Sequence, residues 1–340
     1  MINERRAFAA MESVNVLVTS AIGDECLQQI SSVSPKIKPT NASSLFRAEQ
    51  SGDLTSKEKL GALLAEAEVI FGLRLPKNVI TRAPKMKWIQ VLSAGVNRFL
   101  DAEMVESPVI MTNVSGIHAI PISEFVLEQM LMFVKLAPLC FQMKQEKRWE
   151  RPPPSMLRSK TVGVVGLGSI GREVARLSKA FGMRVVATRR SAKRGGRARY
   201  VDMLLPRDQL QQLLGESDFV VLALPLTPET KKLIGEEELR NMKPTAHLIN
   251  IARGEIVDEE ALIRALEEHR IAGAGLDVFA TEPLPPDSRL WELPNVIFSP
   301  HISGGQEDYA VRGTEVFCEN LRRYLSGKKL LNVVDKKKGY

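Results

Sequence analysis

Cysteine is scarce in this chain and follows no framework. The three cysteines are odd in number and lie far apart, at Cys26, Cys140 and Cys318. Disulfide-stabilised folds and cysteine-based zinc sites need several cysteines at short, regular spacings. We therefore predict neither, expect no metal site, and interpret the three thiols as small buried side chains.

Long apolar runs are also missing. No stretch approaches the roughly 20 apolar residues that span a bilayer. The most apolar segment, EFVLEQMLMFVKLAPLCF, is interrupted by Glu128 and Lys135. The N-terminal segment MINERRAFAAMES lacks the apolar core of a signal peptide. We therefore expect a cytoplasmic protein that does not contact membranes.

Aromatic residues make up only 6% of the chain, which matters for whether its positive charge marks a nucleic-acid-binding surface. The net charge is +7, and basic residues concentrate in RRSAKRGGRAR and in the tail KKKGY. Neither cluster has the interleaved aromatic side chains or the accompanying motif of a nucleic-acid-binding surface. We predict no nucleic-acid partner and interpret the tail as a solvated charged segment. The first cluster needs a separate explanation.

The chain does contain a regular alternation of strand and helix patterns. Its 340 residues suit about two domains. Short β-branched runs such as VNVLVTS, TVGVVG and RVVATR predict strands, and the segments between them predict helices. This alternation predicts an α/β fold with mostly parallel sheets that are covered on both faces. Residues 121–148 carry one long, largely apolar helical pattern, which the prolines of RPPP end.

A glycine-rich loop is the most specific motif. In VGVVGLGSIGREVARL, Gly166, Gly168 and Gly171 have G-x-G-x-x-G spacing between an apolar strand and a helix. The first glycine permits a tight turn, the second lets the backbone approach a pyrophosphate, and the third lets the helix pack on the strand. The amides of Ser169 and Ile170 would then face phosphate oxygens at the helix N-terminus. A glycine turn without a ligand is the alternative.

The strand after this loop ends in residues that favour one cofactor. Dinucleotide-binding units usually have an Asp or Glu at this place, which accepts a hydrogen bond from a ribose hydroxyl. This chain has Thr188, Arg189 and Arg190 instead. A hydroxyl and two guanidinium groups attract a 2′-phosphate, which carries a charge of about −1.5 to −2. We predict NADP as the preferred cofactor, leave NAD open, and keep a basic surface loop as the alternative.

Six stretches of the chain, in the same order, resemble the D-2-hydroxyacid dehydrogenase family. They are WIQVLSAGVNRF, VGVVGLGSIGREVA, LALPLTPETKKLI, HLINIARGEIVDEEAL, GAGLDVFATEPLP and SPHISGG. The resemblance implies two Rossmann-like domains with doubly wound parallel sheets and an active-site cleft between them. It implies a discontinuous substrate domain, residues 1–118 and 303–340, and a dinucleotide-binding domain, residues 119–302. It also implies a homodimer formed through the dinucleotide-binding domain.

Three residues resemble the family's catalytic group. Arg253 ends an apolar strand, where a guanidinium can clamp a substrate carboxylate and polarise the adjacent carbonyl. A structural ion pair with a nearby acid is the alternative for this residue. Glu282 and His301 match the acid–base pair of the family. A carboxylate beside an imidazole favours the protonated ring, so His301 can donate a proton to the developing alkoxide in reduction and accept one in oxidation.

Other contacts follow only from the resemblance. The segment LSAGVNR is similar to the family's carboxylate-binding loop, whose backbone amides would belong to Ser93, Ala94, Gly95 and Val96. Asp277 would accept a hydrogen bond from the nicotinamide carboxamide, and Pro225 and Leu226 would pack near the adenosine. His118 follows an interdomain turn, and we leave its role open.

These features favour an NADPH-dependent reductase of a small 2-oxoacid, such as glyoxylate or hydroxypyruvate. A bulkier 2-ketoacid fits the same frame. A phosphoglycerate dehydrogenase-like enzyme is one alternative, although little chain follows Gly327 for the regulatory domain that many such enzymes carry. A cofactor-sensing corepressor-like binding protein is another, because such relatives can retain the catalytic residues. A nicotinamide-binding module without catalysis is the third.

Overall fold

The computed structural model describes residues 13–192 and 194–339. Almost all of the N-terminal segment on which the signal-peptide prediction rests lies outside these residues, as do Lys193 and Tyr340. The chain divides into two compact units. One unit extends to Ile117 and resumes at Gln306, and the other spans His118–Gly305.

The first unit is built on a five-stranded sheet. Its strands are β1 (Val14–Val18), β2 (Ile37–Asn41), β3 (Val69–Gly72), β4 (Trp88–Val91) and β5 (Ile110–Thr112). Their order in the sheet is β2-β1-β3-β4-β5, and every pair is parallel. Successive side chains of a strand point to opposite faces, so Leu17 and Ile70 join one apolar core while Val16 and Phe71 join the other.

Helices connect the strands of the first unit, as parallel pairing requires. They are α1 (Asp24–Ser31), α2 (Ser43–Gln50), α3 (Leu54–Glu66), α4 (Val79–Arg82), α5 (Ala102–Glu106) and, after the chain returns, α12 (Tyr309–Leu325). In α3 the side chain of Asp53 caps the first turn by accepting from the Thr55 amide. In α12 the fully buried Phe317 stacks on Phe71 with ring centroids 4.2 Å apart.

The second unit carries a longer sheet. Its strands are β6 (Thr161–Val165), β7 (Arg184–Thr188), β8 (Gly196–Ala198), β9 (Val201–Leu205), β10 (Phe219–Leu222), β11 (His247–Asn250), β12 (Gly273–Leu276) and β13 (Val296–Phe298). The order within the described residues is β13-β12-β11-β10-β6-β7-β9-β8. Val220 and Leu222 enter the core on one face, and Phe219 and Val221 enter the core on the other. The central strands are therefore apolar on both faces, as predicted from their continuous apolar runs.

One pair of strands departs from the parallel pattern. The strands β8 and β9 pair antiparallel and form the edge of the sheet, while β9 pairs with β7 in parallel. The segment that forms β8 is short, glycine-containing and basic, so it lacks the apolar alternation that predicts a strand. The hairpin brings the basic segment after β7 back towards the sheet.

The predicted long helix over residues 121–148 is wrong in one respect, because the structure has two helices there. They are α6 (Ala119–Val134) and α7 (Ala137–Gln145), and Leu136 between them is left-handed with φ 58°. Pro138 lies in the first turn of α7. A proline has no amide hydrogen and its ring clashes with the preceding turn, so a continuous helix cannot pass through it.

The remaining helices of the second unit alternate with its strands. They are α8 (Ser169–Ala180), α9 (Leu210–Glu216), α10 (Glu236–Asn241) and α11 (Glu259–Glu267). No helix in the described part of the chain combines the length and apolar character needed to cross a membrane.

Candidate active site and cofactor site

The predicted functional residues of the second unit follow consecutive strands of one sheet. Arg253 follows β11, Asp277 directly follows β12, and His301 lies three residues after β13. These strands are parallel neighbours in register, with Asn250 beside Leu276. Because parallel strands end at the same edge, the three loops emerge together at the carboxyl edge of the sheet. Ligands of open α/β sheets bind at this edge.

A direct hydrogen bond joins Glu282 and His301. The Nδ1 atom of His301 lies 2.8 Å from Oε2 of Glu282. The other carboxylate oxygen of Glu282 accepts from the Phe279 amide at 3.1 Å, which fixes the carboxylate within its own loop. Both side chains are partly exposed, with 46% of His301 and 36% of Glu282 accessible. The pair is therefore held in place and remains open to a small molecule.

Asp277 organises the loop that carries His301. Its carboxylate is 1% exposed and accepts from the Ser299 hydroxyl at 2.7 Å, the Ile302 amide at 2.8 Å, and both the amide and the hydroxyl of Ser303. Its backbone carbonyl accepts from the His301 amide at 2.9 Å. These donors occupy most of the acceptor capacity of a carboxylate. The nicotinamide contact expected for Asp277 stays a prediction, and the loop-holding role is an addition that only the structure reveals.

The two serines beside His301 were missed by sequence reasoning. Ser299 and Ser303 are buried, and each hydroxyl donates to Asp277. The signal was present as serines flanking the histidine in SPHISGG. Their partner lies 22 and 26 residues upstream, so the bond could not be deduced from local spacing.

Arg253 lies in a loop that packs closely on the Glu282 loop. Its Nη1 atom donates to the Ala252 carbonyl at 2.5 Å, and its own carbonyl accepts from the Asn250 side chain at 3.0 Å. The neighbouring Gly254 has no room for a side chain, because a Cβ there would lie 1.9 Å from the Phe279 carbonyl carbon. This contact joins the arginine loop to the residues that precede Glu282.

His118 lies near these loops within the second unit. Burial, chiefly, and the positive charge of Arg253 lower the pKa of the His118 imidazole below its ordinary value. A Cβ on Gly304 would lie 2.9 Å from Cδ2 of His118, so this ring packs against the loop after His301. This shift favours the neutral form of the His118 imidazole beside the candidate catalytic loops.

The glycine loop connects β6 to α8. Gly166 has a φ of +102°, and a Cβ there would lie 2.4 Å from the Ala223 carbonyl oxygen. A Cβ at Gly171 would lie 2.1 Å from the Gly166 carbonyl oxygen, whereas one at Gly168 would meet no atom within 4 Å. Packing therefore leaves no room for a side chain at Gly166 and Gly171, whereas Gly168 borders open space. Ser169 and Ile170 open the helix, as predicted.

The last residue of β7 and the two residues after it differ strongly in exposure. Thr188 is 6% exposed, and its carbonyl accepts from the amides of Gly166 and Leu167, so it joins β7 to the glycine loop. Arg189 is partly buried, and its Nε atom finds no hydrogen-bond partner among the described residues. Arg190 is exposed. The predicted cofactor-selecting residues therefore lie next to the glycine loop.

The loop after β10 is held by its own polar groups. The Thr230 hydroxyl donates to the Pro225 carbonyl at 2.7 Å and accepts from the Thr227 amide at 2.7 Å. Pro225 itself is exposed at the carboxyl edge, and Leu226 is partly buried. The segment forms a turn rather than a helix.

In the first unit, the predicted carboxylate-binding loop directly follows β4. The Ser93 hydroxyl donates to the Gly95 carbonyl at 2.8 Å, and Asn113 donates to the Ala94 carbonyl at 2.8 Å. These bonds fix the loop through its carbonyls. Its four amides donate no hydrogen bond to other residues that the structure describes; they belong to Ser93, Ala94, Gly95 and Val96.

Comparison with known proteins matches this chain to one family. Residues 127–303 match the family model described as D-isomer specific 2-hydroxyacid dehydrogenase, NAD binding domain. The chain is 36% identical over 273 residues to a glyoxylate reductase of Korarchaeum cryptofilum, covering 76% of this chain and 78% of that protein. It is 32% identical over 286 residues to a D-3-phosphoglycerate dehydrogenase of Methanocaldococcus jannaschii, covering 82% of this chain and 54% of that protein.

Solved structures are similar over nearly the whole chain. One is an NADPH-dependent glyoxylate/hydroxypyruvate reductase from Sinorhizobium meliloti in complex with NADP and sulfate. It is 25% identical, with a TM-score of 0.79, covering 96% of this chain and 100% of that one. The predicted α/β fold with Rossmann-like domains and the predicted nicotinamide dinucleotide cofactor are confirmed. The chain is an oxidoreductase-type protein that belongs to the D-isomer specific 2-hydroxyacid dehydrogenase family.

Proposed function

We propose that this protein is an NADPH-preferring reductase of small 2-oxoacids, with glyoxylate and hydroxypyruvate as its substrates. The observation that carries the proposal is the 2.8 Å hydrogen bond between Glu282 and Nδ1 of His301, in loops adjoining that of Arg253. A carboxylate on Nδ1 orients the ring and leaves Nε2 for the substrate. The names of the related proteins support the choice of substrates.

His301 is the acid–base residue of this proposal. When bound at the glycine loop, the nicotinamide cofactor would supply the hydride that reduces the substrate carbonyl carbon. As negative charge develops on the carbonyl oxygen, Nε2 of protonated His301 donates its proton there, and Glu282 stabilises the protonated ring. In the reverse direction neutral His301 accepts the hydroxyl proton. Glu282 therefore tunes and orients the imidazole and does not itself transfer the proton.

Arg253 binds the substrate carboxylate and polarises the adjacent carbonyl. A guanidinium offers parallel donors to a carboxylate. The hydrogen bond from Nη1 of Arg253 to the Ala252 carbonyl holds this guanidinium in place. The amides of residues 93–96, which donate no hydrogen bond within the described chain, are proposed as further carboxylate donors. This assignment gives the first unit the role of substrate domain and the second unit the role of cofactor domain.

The glycine loop fits the cofactor's pyrophosphate. Gly168 borders open space, so a ligand can approach its backbone, and the N-terminus of α8 is positively polarised. Ser169 and Ile170 would supply amides to the phosphates. Pro225 would lie against the adenosine, and Asp277 would accept a hydrogen bond from the nicotinamide carboxamide. Gly166 and Gly171 shape the loop.

The choice of NADP rests on the last residue of β7 and the two residues that follow it. Thr188, Arg189 and Arg190 replace the acid that would repel a 2′-phosphate. The Nε atom of Arg189 has no partner within the described chain, so a bound phosphate would satisfy it.

A homodimer through the cofactor domain is also part of the proposal. The α6–α7 region presents a shallow depression with an apolar floor, lined by Glu124, Leu127, Glu128, Leu131, Met132, Lys135 and Ala137. An exposed apolar patch of this kind is typical of an interaction surface. The mass in solution, measured by light scattering, tests it against the chain mass of 37.8 kDa.

A phosphoglycerate dehydrogenase-like activity is the second candidate, because a relative of that name is 32% identical. Initial rates of NADPH and NADH oxidation with glyoxylate, hydroxypyruvate and a bulky 2-ketoacid test the leading proposal, and 3-phosphoglycerate with NAD tests the second. Faster use of NADPH with the small acids supports the proposal. Faster use of NADH overturns the cofactor preference, and turnover of none of the acids favours the corepressor-like binding role.

A further inference from the structure

Three hydrogen bonds hold the carbonyls of the loop that follows β4 in the first unit. The Ser93 carbonyl accepts from the Val114 amide at 3.3 Å, and the Ala94 carbonyl accepts from Nδ2 of Asn113 at 2.8 Å. The Gly95 carbonyl accepts from the Ser93 hydroxyl at 2.8 Å. These peptide bonds are trans, so the C=O and the N–H of each peptide plane point in opposite directions. Each held carbonyl therefore directs the amide of the next residue away from the group that holds it.

The amides directed in this way belong to Ala94, Gly95 and Val96. None of the three donates a hydrogen bond within the described chain. An amide whose direction is fixed before a ligand arrives loses little conformational freedom when it binds an anion. The groups that hold the carbonyls therefore prepare the amides of this loop for a carboxylate.

Asn113 is the holding group that joins this loop to another segment through a side chain. It is buried, and both ends of its side-chain amide are used. Nδ2 donates to the Ala94 carbonyl, and Oδ1 accepts from the Ser115 amide at 2.9 Å. Because the Ala94 carbonyl shares its peptide plane with the Gly95 amide, the direction of that amide depends on Asn113.

The segment that follows α12 braces Asn113, and we call its residues 330–339 the tail segment. The Asn332 carbonyl accepts from the Asn113 amide at 3.2 Å. Nδ2 of Asn332 donates to the carbonyls of Asn113 and Ser115, at 3.2 and 2.9 Å. Asn332 has a left-handed backbone with φ 52°, which asparagine adopts more readily than most residues. Asn332 therefore holds the stretch of backbone that carries the Asn113 side chain.

A buried valine and a lysine anchor the tail segment itself. Val334 is buried, and its amide donates to the Met111 carbonyl at 2.9 Å. The ammonium of Lys336 donates at 2.6–3.2 Å to the Ser107 hydroxyl and to three carbonyls, those of Met104, Ser107 and Val109. The predicted solvated tail is therefore wrong for Lys336, because its charge lies in a cage of oxygen atoms.

We propose that Asn113 and Asn332 are positioning residues for the substrate carboxylate. Asn113 sets the direction of the Gly95 amide, and Asn332 keeps Asn113 in place with the support of the anchored tail segment. This inference rests on the proposed function, because it takes the carboxylate of a 2-oxoacid as the ligand of the loop. It makes the tail segment a determinant of substrate affinity.

Oxalate binding tests this role without turnover, because oxalate is unreactive and presents the oxygens of a small 2-oxoacid. It is titrated calorimetrically into the full chain saturated with NADP, and with NAD in parallel. Asn113→Ala is expected to weaken oxalate binding about tenfold and Asn332→Gly about threefold, because the Gly95 amide loses its fixed direction. The affinity for either dinucleotide is expected to stay unchanged.

Steady-state kinetics provide the second readout. The KM for glyoxylate is expected to rise by the same factors as the dissociation constant of oxalate. The kcat is expected to stay within about twofold of the wild-type value, because neither substitution alters the Glu282–His301 pair. A residue that merely supports the fold would not divide its effect between KM and kcat in this way.

Two substitutions are matched controls. Asn78→Gly matches Asn332→Gly, because Asn78 also has a left-handed backbone, with φ 53°, yet is exposed and makes no side-chain cap to α4. Glycine adopts this backbone freely, so both substitutions remove a side chain without strain. Lys336→Met is expected to weaken oxalate binding about twofold to threefold. Lys337→Met removes the same charge from an exposed position and is expected to leave binding unchanged.

The outcomes separate this inference from the proposed function. If the wild-type chain binds oxalate and Asn113→Ala and Asn332→Gly bind it equally well, the inference is overturned and the proposed function stands. If Asn332→Gly and Lys336→Met behave like their controls, the tail segment has no part in substrate affinity and the inference is overturned.

Thermal unfolding of every variant completes the comparison. If the affinities for oxalate and for the dinucleotide fall together with the unfolding temperature, the asparagines only support the fold and the inference is overturned. If the wild-type chain neither binds oxalate nor reduces any of the oxoacids, the proposed function itself fails.

Discussion

The two ends of the large sheet are held together in different ways. At the end formed by β11, β12 and β13, the loops are tied to each other by hydrogen bonds, with buried Asp277 accepting from Ser299, Ile302 and Ser303. In the half of the sheet that contains β7, β9 and β8, β7 leads into Arg189, whose Nε has no hydrogen-bond partner in the described chain. The first end positions its groups before any ligand arrives. The second holds one buried donor, Nε of Arg189, that is unsatisfied among the described residues.

This difference matches the chemistry proposed for each end. Proton transfer requires an imidazole held within hydrogen-bond reach of the reacting oxygen, so internal bonds that fix its loop are useful. Recognition of a phosphate requires cationic donors that are not already satisfied. The proposed reductase therefore needs a catalytic end whose polar groups are already hydrogen-bonded and a cofactor-binding end that keeps a free donor for the ligand. Four predictions test this contrast, from the largest expected effect to the smallest.

The largest effect is expected at the catalytic end. His301→Ala removes the proton donor, and we expect kcat to fall about 10²- to 10⁴-fold while the cofactor still binds. Initial rates with glyoxylate and NADPH, together with fluorescence titration of NADPH, measure the two quantities. His269→Ala, at an exposed histidine outside the site, is the control. Unchanged turnover in His301→Ala would remove the acid–base role of the Glu282–His301 pair.

Asp277→Asn is expected to loosen the same end. An amide cannot accept from all the donors that now surround the carboxylate, so buried donors lose their partners. We expect the free energy of unfolding to fall by about 2–4 kcal/mol and kcat to fall with it. Urea denaturation measures the first quantity, with Asp287→Asn at an exposed loop position as the control. An Asp277→Asn protein with wild-type stability and rate would show that the bonds do not hold the loop.

The sheet that carries both ends has its own pH dependence. His247 lies between Phe133 and Phe219, with ring centroids 4.2 and 5.3 Å away. Burial, chiefly, and the charge of Lys160 lower the pKa of His247 from 6.5 to about 4. The unfolded chain therefore takes up a proton below pH 6.5 that the folded protein refuses. The free energy of unfolding should fall by about 3 kcal/mol as the pH drops from about 6.5 to about 4, and no further from this group.

The control for this pH effect is His247→Phe. In this variant the free energy of unfolding is expected not to show the fall that His247 causes at low pH. The smaller pH dependence that comes from buried His118 is expected in both proteins. Urea denaturation at pH 7.5, 6, 5 and 4 compares the two. Parallel stability curves over this range would mean that His247 is protonated equally in the folded and unfolded chains.

The smallest effect is expected at Arg189, which follows β7. Arg189→Gln should raise KM for NADPH about tenfold, or about 1.4 kcal/mol, and leave KM for NADH unchanged. Initial rates at fixed glyoxylate measure both constants, and Arg197→Gln serves as the reference. Because Arg189 is only partly buried, the difference should shrink as the salt concentration rises. A parallel rise in both KM values would mean that Arg189 supports the fold of the loop rather than selecting a cofactor.

The spacing of residues along the chain was sufficient to predict the glycine loop and the central strands. The glycine loop could be predicted because its strand, turn and helix are adjacent in the chain, and their residue types meet strict steric limits at Gly166 and Gly171. The central strands could be predicted from continuous apolar runs. The break between α6 and α7 could also have been predicted from Pro138, but the apolar pattern on either side outweighed it.

The amino-acid sequence by itself determined the α/β class, the family, the glycine loop and the identity of Arg253, Glu282 and His301 as candidates. Only the tertiary structure decided which side chains meet. Glu282 and His301 are 19 residues apart, and Asp277 reaches Ser303 across 26. Arg189 lines a pocket together with residues of α8 and of a hairpin whose first strand has no apolar signature. The physical reason is that local patterns report burial and backbone preference, whereas partners brought together by neighbouring parallel strands are set by sheet order and register.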